Sequence, residues 1–265
     1  MKELKILFVG NSFALDTAEH APNIALSLGI SKVKFGTLFV GGCSIDMHYS
    51  HLCDDEAVYT YYTNEGNGWS TTPEYRISKA VRGEAWDWII IQHGTHDGSR
   101  YTSSESYARL GELVRGIRTI APEGARIGFN LTWLGESTRQ HPEIISYRGD
   151  MAAMRKRLVE VTREAVLTVP DIDLLVPTGT AIENARTSRI GLLTRDCYHL
   201  SMDKGRYIAG LTLVASVTGL PIDGIAWMPE GVDGYSVRVA IEAAKRAVTA
   251  PLEVTQLSLP DDAEQ

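Results

Sequence analysis

The sequence predicts an α/β protein with three layers, in which helices cover both faces of a parallel β-sheet. Short apolar runs alternate along the chain with longer segments of helical periodicity. Parallel strands joined through helices produce that alternation, because strands buried on both faces read as continuous apolar runs. The 265 residues, 44% of them hydrophobic, can form one such unit. We therefore expect a single domain over residues 1–250 and a C-terminal tail over residues 251–265.

Five strands are predicted, and the first three end in glycine or polar residues. They are expected at residues 5–9, 33–40, 86–91, 126–133 and 171–177. We expect the flavodoxin-like strand order 2-1-3-4-5 with right-handed crossovers. In that order the connections change direction between the first and third strands, so a ligand site is expected at the carboxyl ends of these two strands. The first crossover helix is predicted over residues 16–28.

Residues near 55–75 interrupt the alternation of strands and helices. Residues 58–63 alternate like a strand, residues 64–68 are typical of a turn, and Trp69 opens a return strand. This pattern predicts a small hairpin insertion that leaves the main sheet. Tyr59, Tyr61 and Trp69 could form an aromatic wall for a sugar, and the alternative is that they pack the hairpin onto the body of the protein.

Charge and composition exclude several classes of partner. The formal net charge is −7 and is spread along the chain, which argues against binding to nucleic acid. No apolar run has the length of a membrane span, so no membrane partner is expected. The first strand begins near residue 4 and leaves no room for a signal peptide, which predicts a cytoplasmic protein. The three cysteines have no metal-ligand spacing and are predicted to be free thiols or core residues.

Ser12 is the candidate nucleophile, because it follows the first strand directly, at the sheet edge where ligands bind. The Gly-Asn-Ser sequence that contains it is also an ordinary turn. Acyl transfer by a serine needs a base, a carboxylate that orients the base, and hydrogen-bond donors for the oxyanion. Asp196 and His199 lie three residues apart in a loop after the last strand, and the N–H groups of Ser12 and Gly42 could be the donors.

Four short motifs, taken in order, resemble the blocks of the SGNH (GDSL-type) hydrolase superfamily. They are Gly10-Asn11-Ser12, Gly42, the turn from Gly94 to Asp97, and Asp196-x-x-His199. The chain is similar to a bacterial branch of that superfamily catalogued as a domain of unknown function. The resemblance implies that Ser12 is the nucleophile, His199 the base, Asp196 the orienting acid and Gly42 an oxyanion donor.

The third motif differs from the superfamily pattern. That pattern reads Gly-x-Asn-Asp, and its Asn amide donates to the oxyanion, whereas this chain has Gly94-Thr95-His96-Asp97. An imidazole can donate a hydrogen bond, as can the side-chain amide of Gln92. The sequence leaves open whether His96 or Gln92 completes the oxyanion hole.

The predicted crevice has a polar and aromatic lining. Its expected substrate-binding residues are Asn11, Thr95, Asp97, Trp133, Tyr61 and Trp69. Such a lining favours a serine esterase acting on small acyl esters, O-acetyl groups on a carbohydrate above all, without a cofactor. The alternatives are a catalytically degenerate binding protein for small molecules or carbohydrates, a lipase or thioesterase, and a metal-dependent hydrolase. The last would use His93, His96 and Asp97 with His48 or His51. The sequence does not indicate whether the protein is a monomer or an oligomer.

Overall fold

A mixed sheet of seven strands runs through the part of the chain that the computed structural model describes, residues 2–95 and 97–260. Five strands are parallel: β1 (Glu3–Gly10), β2 (Lys32–Phe39), β5 (Trp88–Ile91), β6 (Arg126–Asn130) and β7 (Leu174–Val176). Two are antiparallel: β3 (Tyr59–Asn64) and β4 (Trp69–Tyr75). The order across the sheet is β4-β3-β2-β1-β5-β6-β7.

The predicted five-stranded sheet needs correction at one edge. Its parallel strands follow one another in the expected order, but the hairpin does not leave the sheet. Strand β3 pairs with β2, with Tyr61 opposite Leu38, and β4 pairs with β3. An uncovered β2 would present a row of unpaired N–H and C=O groups, and the hairpin satisfies them. The hairpin therefore makes the sheet mixed and seven-stranded.

Helices cover both faces of this sheet. The α-helices are α1 (Ser12–Ala18), α2 (Ala21–Ser27), α3 (Ile45–Asp54), α4 (Ile77–Arg82), α5 (Leu110–Ile120), α6 (Pro142–Ser146), α7 (Met151–Val161), α8 (Thr178–Arg186), α9 (Lys204–Thr218) and α10 (Gly234–Thr249). A 3-10 turn lies at Ser104–Tyr107, and a π-helical turn at Thr162–Val166 continues α7.

Alternate residues of the central strands enter two separate cores. On β1, Ile6 and Phe8 pack into the core that α1, α2, α8, α9 and α10 close. Leu7 and Val9 point the other way, into the core closed by α3, α4 and α5. Successive side chains of a strand point to opposite faces, so a strand buried on both faces must be apolar throughout. The expected three-layer α/β/α architecture follows from this arrangement.

The segment after β1 differs from the single helix predicted over residues 16–28. It forms two short helices, and Pro22 lies in the first turn of α2, where proline's missing N–H costs no hydrogen bond. Helix α1 begins earlier than predicted, at Ser12. The candidate nucleophile is therefore the first residue of a helix.

Part of the predicted C-terminal tail packs on α8. The backbone N–H groups of Thr255 and Leu257 donate to the side chains of Asn184 and Thr187, and the Leu257 side chain is buried. Residues 261–265 lie outside the described residues. Within residues 2–95 and 97–260, no helix combines the length and the apolar character needed to cross a membrane.

Candidate active site

Ser12 is held at the carboxyl end of β1 by a tight turn. Asn11 caps α1, since its side-chain oxygen accepts from the N–H of Phe13 at 3.0 Å, and its amide donates to the carbonyl of Cys43 at 3.3 Å. A Cβ atom on Gly10 would lie 2.6 Å from the Cβ of Ala14, so the turn requires glycine there. These contacts fix the Ser12 hydroxyl where β1 and β2 end.

His199 lies between Ser12 and Asp196. Its Nε2 is 2.9 Å from the Ser12 Oγ, and its Nδ1 is 2.6 Å from the Asp196 Oδ2. The other carboxylate oxygen accepts from the backbone N–H groups of Tyr198 and His199. Partial burial raises the pKa of Asp196, but the hydrogen bonds from His199 outweigh this and hold the pKa below its usual value. This carboxylate is therefore ionised at neutral pH, and the geometry lets His199 accept the hydroxyl proton.

A buried ion pair fastens the loop that carries Asp196 and His199 to helix α1. Asp16, fully buried one turn after Ser12, accepts from Arg206 Nε at 2.9 Å and from Arg195 Nη1 at 3.1 Å. Its other oxygen accepts from the backbone N–H of Leu200 at 2.8 Å. Since Leu200 follows His199 directly, the Asp16 carboxylate sets the position of the imidazole relative to Ser12.

The loops after β2 and β5 meet backbone to backbone beside Ser12. A Cβ atom on Gly94 would lie 2.4 Å from the carbonyl oxygen of Gly42, and Gly42 has a φ of 62°, a conformation that favours glycine. As the first residue of α1, Ser12 has no intrahelical acceptor for its N–H. The N–H of Gly42 is the donor in none of the hydrogen bonds formed among the described residues. Both groups are free to bind an oxyanion.

These residues open into a pocket of about 460 Å³. Its wall consists of Asn11, Ser12, Gly41, Gly42, Gly94, Thr95, Tyr101, Arg139, His141, Tyr198 and His199. The predicted residues Asn11, Ser12, Gly42, Thr95 and His199 are thus brought together. The Asn11 amide is already engaged with the backbone, so its contribution is to shape the turn.

Gln92 does not reach this pocket. It is fully buried, and its side-chain oxygen accepts from the amide of Asn130 at 2.6 Å. Asn130 also bonds to the hydroxyls of Thr17 and Thr178. The Gln92 amide nitrogen faces the carbonyl of His93 at 3.5 Å, and Gln92 does not line the pocket, so the structure does not place this amide for an oxyanion. His96, the other candidate, lies outside the described residues.

Four predicted substrate-binding residues do not line the pocket: Trp133, Tyr61, Trp69 and Asp97. Trp133 is fully buried, stacks on Phe13 and donates its indole N–H to the carbonyl of Tyr198 at 2.8 Å. Tyr61 stacks on Tyr75 within the hairpin, and the Trp69 indole reaches the carbonyl of Glu19.

These two hairpin rings therefore pack the hairpin, which was the alternative interpretation. Asp97 accepts from the Ser44 hydroxyl at 2.5 Å, outside the pocket wall. Alternation of residue types predicted that these side chains were near strand ends, but it could not show which way they faced.

Four residues that were not predicted from the sequence also line the pocket: Tyr101, Arg139, His141 and Tyr198. Tyr198 is adjacent to His199, which was the only signal that could have identified it. Tyr101 is fixed because Glu143 accepts from its backbone N–H and from that of Thr102. Arg139 and His141 lie in a loop without periodicity, and only the folded structure brings that loop to the pocket.

Two of the histidines proposed for a metal site are engaged by other side chains. His48 bonds to Tyr59 at 2.9 Å, and His51 bonds to Glu56. Burial lowers the pKa values of both His48 and His93 to about 3, so both are neutral at physiological pH. Among residues 2–95 and 97–260, no three histidine, cysteine or acidic side chains form a group that could hold a metal ion.

The chain belongs to the DUF4886 family, described as a domain of unknown function, whose model matches residues 5–247. The expected similarity to a family catalogued as a domain of unknown function is confirmed. A crystal structure of a DUF4886 family protein from Bacteroides uniformis ATCC 8492 is 31% identical, with a TM-score of 0.90 over 96% of this chain and 98% of that one. No curated protein matches the chain.

More distant structures include an acetyl xylan esterase and an α/β hydrolase. An acetyl xylan esterase from Geobacillus stearothermophilus is 14% identical, with a TM-score of 0.47 over 87% of this chain and all of that one (100%). An α/β hydrolase from the metagenome of Lake Arreo, Spain, is 12% identical, with a TM-score of 0.47 over 81% and 94%. Both TM-scores are below 0.5, so neither likeness supports a conclusion about activity.

Proposed function

We propose that the protein is a serine esterase of the SGNH type that removes small acyl groups, O-acetyl groups on carbohydrates above all. The observation that carries this proposal is the position of His199, whose two ring nitrogens lie 2.9 Å from the Ser12 Oγ and 2.6 Å from the Asp196 Oδ2. A hydroxyl, an imidazole and a carboxylate in that order form the arrangement that activates a serine for acyl transfer.

The chemistry proceeds in two halves. The Ser12 Oγ attacks the ester carbonyl carbon while His199 Nε2 takes the hydroxyl proton, and Asp196 stabilises the imidazolium. The N–H groups of Ser12 and Gly42 bind the oxyanion of the tetrahedral intermediate. His199 then gives its proton to the departing alkoxide, which leaves an acyl group on Ser12. A water molecule attacks this acyl group with the same proton transfers, releasing the acid and regenerating Ser12.

The pocket wall supports a small, polar substrate. Glycine backbone and Thr95 lie beside Ser12, and the hydroxyls of Tyr101 and Tyr198 bond to each other at 2.8 Å on the wall. Tyrosine rings and polar edges suit a sugar, which presents both C–H faces and hydroxyls. The aromatic residues Trp133, Tyr61 and Trp69 are not counted among the sugar-binding residues, because their side chains pack within the protein. A long acyl chain would need an apolar trough, whereas none of the described residues that line this wall has an aliphatic side chain.

A series of nitrophenyl esters of increasing acyl length tests the proposal. We expect kcat/KM to be highest for acetate and at least about tenfold lower for octanoate, since each additional methylene would remain exposed or displace polar groups. Acetate release from acetylated sugars should accompany it. A rate that rises with chain length would indicate a lipase. Absence of hydrolysis together with an unreactive Ser12 would indicate the degenerate binding protein.

His96 is proposed as the third oxyanion donor, from its place in the superfamily pattern. His96→Ala is then expected to lower kcat by on the order of 10² to 10³ with little change in KM, the effect of one missing donor. His96→Asn should recover part of the loss. Gln92→Ala is the comparison: because Gln92 bonds to buried Asn130, its loss should lower the free energy of unfolding. A silent His96→Ala variant would exclude this role.

A further inference from the structure

Arg139 brings a positive charge to the pocket wall. Its side chain is half-buried, and it lines the same pocket as Ser12 and His199. It forms no ion pair and no side-chain hydrogen bond with the residues that the structure describes. None of the described residues that line this pocket is acidic, and the nearby Asp196 carboxylate is bonded to His199.

The flat face of the Arg139 guanidinium stacks on an aromatic ring, and its N–H edge remains available for a ligand. Its Cζ lies 3.2 Å from the centroid of the Tyr198 ring, in a cation–π contact. Stacking occupies the flat face of a guanidinium, whereas its N–H donors point outward in the plane. Two of these donors match the two oxygens of a carboxylate. Arg139 is therefore held flat, with a carboxylate-binding edge uncommitted.

The loop that carries Arg139 is fixed to the loop that carries His199. The backbone N–H of Glu136 donates to the carbonyl of Cys197 at 2.8 Å, and the Glu136 carboxylate bonds to Arg186 at 2.9 Å. A Cβ atom on Gly135 would lie 2.9 Å from the same Cys197 carbonyl. These contacts place the guanidinium before any ligand arrives, which lowers the entropic cost of binding.

Arg139 is linked to His199 through the side chain of Tyr198. The Tyr198 ring contacts both Arg139 and His199, since its centroid is 5.0 Å from that of the imidazole. In the proposed reaction His199 protonates the departing alcohol, so the alcohol part of the ester lies next to this imidazole. A positive charge beside Tyr198, which contacts His199, is therefore placed for the alcohol part of the ester.

From these contacts we propose that the pocket selects esters whose alcohol carries a carboxylate, such as an acylated acidic sugar, through a bidentate contact with Arg139. This selectivity rests on the proposed esterase function for its catalytic consequence, but binding of the carboxylate does not require catalysis.

Two matched ester pairs test the selectivity: 3- and 4-acetoxybenzoate against the corresponding acetoxybenzamides. Members of a pair share size and acyl group and differ in charge. For at least one isomer the wild-type protein should hydrolyse the benzoate with a kcat/KM about 10- to 100-fold higher, the range of a charge-assisted contact. Arg139→Met should reduce this ratio to about one. Arg139→Lys, which keeps the positive charge but lacks the paired N–H donors of a guanidinium, should retain part of it.

Arg126→Met is the matched control. The Arg126 guanidinium also stacks on an aromatic ring, that of Trp88, but at the opposite end of the strands. Its removal should leave the wild-type ratio unchanged. A wild-type ratio of one or less for both isomers, or a ratio that survives in Arg139→Met, would overturn the assignment.

A binding measurement separates this inference from the esterase proposal. In Ser12→Ala protein, calorimetry should show tighter binding of the hydroxybenzoate product than of the hydroxybenzamide, and Arg139→Met should abolish the difference. Arg139-dependent binding without hydrolysis of any ester would support the carboxylate site and refute the esterase. Ser12-dependent hydrolysis of both esters at equal rates, with no difference in binding, would refute the carboxylate site and leave the esterase standing.

Discussion

Replacement of Ser12 by alanine is expected to lower kcat for acetyl ester hydrolysis by roughly 10⁴- to 10⁶-fold. The variant loses the nucleophile but keeps the N–H groups that bind the oxyanion, so a small residual rate over the uncatalysed reaction should remain. The measurement is kcat of the purified variant, with the melting temperature confirming that the fold is intact.

Ser70→Ala is the control for this variant. The Ser70 hydroxyl bonds to that of Thr63 in the hairpin, at the far edge of the sheet, and its loss should leave kcat unchanged. A Ser12→Ala variant with wild-type kcat would refute the serine mechanism. Loss of activity in both Ser12→Ala and Ser70→Ala would show that the activity assay reports loss of the folded state and not loss of the nucleophile.

The second large effect is expected from Asp16→Asn, which should lower the free energy of unfolding by about 3 kcal/mol. The substitution removes the buried counter-charge of Arg206, whose side chain is 10% exposed. It should also lower kcat, because the Leu200 N–H loses the carboxylate that holds the His199 loop on α1. Urea unfolding gives the first quantity and hydrolysis of an acetyl ester by the folded variant gives the second, with the rate of phosphonylation of Ser12 as a separate readout of its activation by His199.

Asp223→Asn provides the comparison for a charge pair in solvent. Asp223 lies 2.7 Å from Lys245, and both side chains are largely exposed. Exposed ion pairs contribute little to stability, so the urea midpoint of this variant should not change measurably. An Asp16→Asn variant with the wild-type midpoint and the wild-type phosphonylation rate would show that Asp16 does not anchor the loop.

The residues around Ser12 could be predicted because strand ends are visible in a sequence. Apolar runs identified β1, β2 and β5, and parallel strands bring their carboxyl ends to one edge. Ser12, Gly42 and Thr95 follow those ends within a few residues, so their proximity followed from the fold class. Asp196 and His199 were expected from their spacing in a loop after the last strand, and the superfamily resemblance implied the same two residues, although no periodicity brings a late loop back to β1.

Other features depend on contacts that a linear pattern does not encode. Asp16 reads as an ordinary polar helix residue, but it pairs with Arg206, 190 positions away. The aromatic pattern of the hairpin predicted a β-hairpin and could not show that the open edge of β2 would pair with it. Arg139 lies in a loop without a periodic pattern of apolar residues, so neither the burial nor the orientation of its side chain can be predicted from the sequence.

Covalent labelling with a fluorophosphonate, followed by intact-mass and peptide analysis, tests the proposed mechanism most directly. A serine activated by His199 and Asp196 should take up one phosphonyl group, with the modification on Ser12, and hydrolysis should be lost in proportion to labelling. Ser12→Ala protein should stay unlabelled. Retention of full esterase activity in fully labelled protein, or modification of a different residue while Ser12 stays unmodified and activity is lost, would contradict the assignment of Ser12 as the nucleophile.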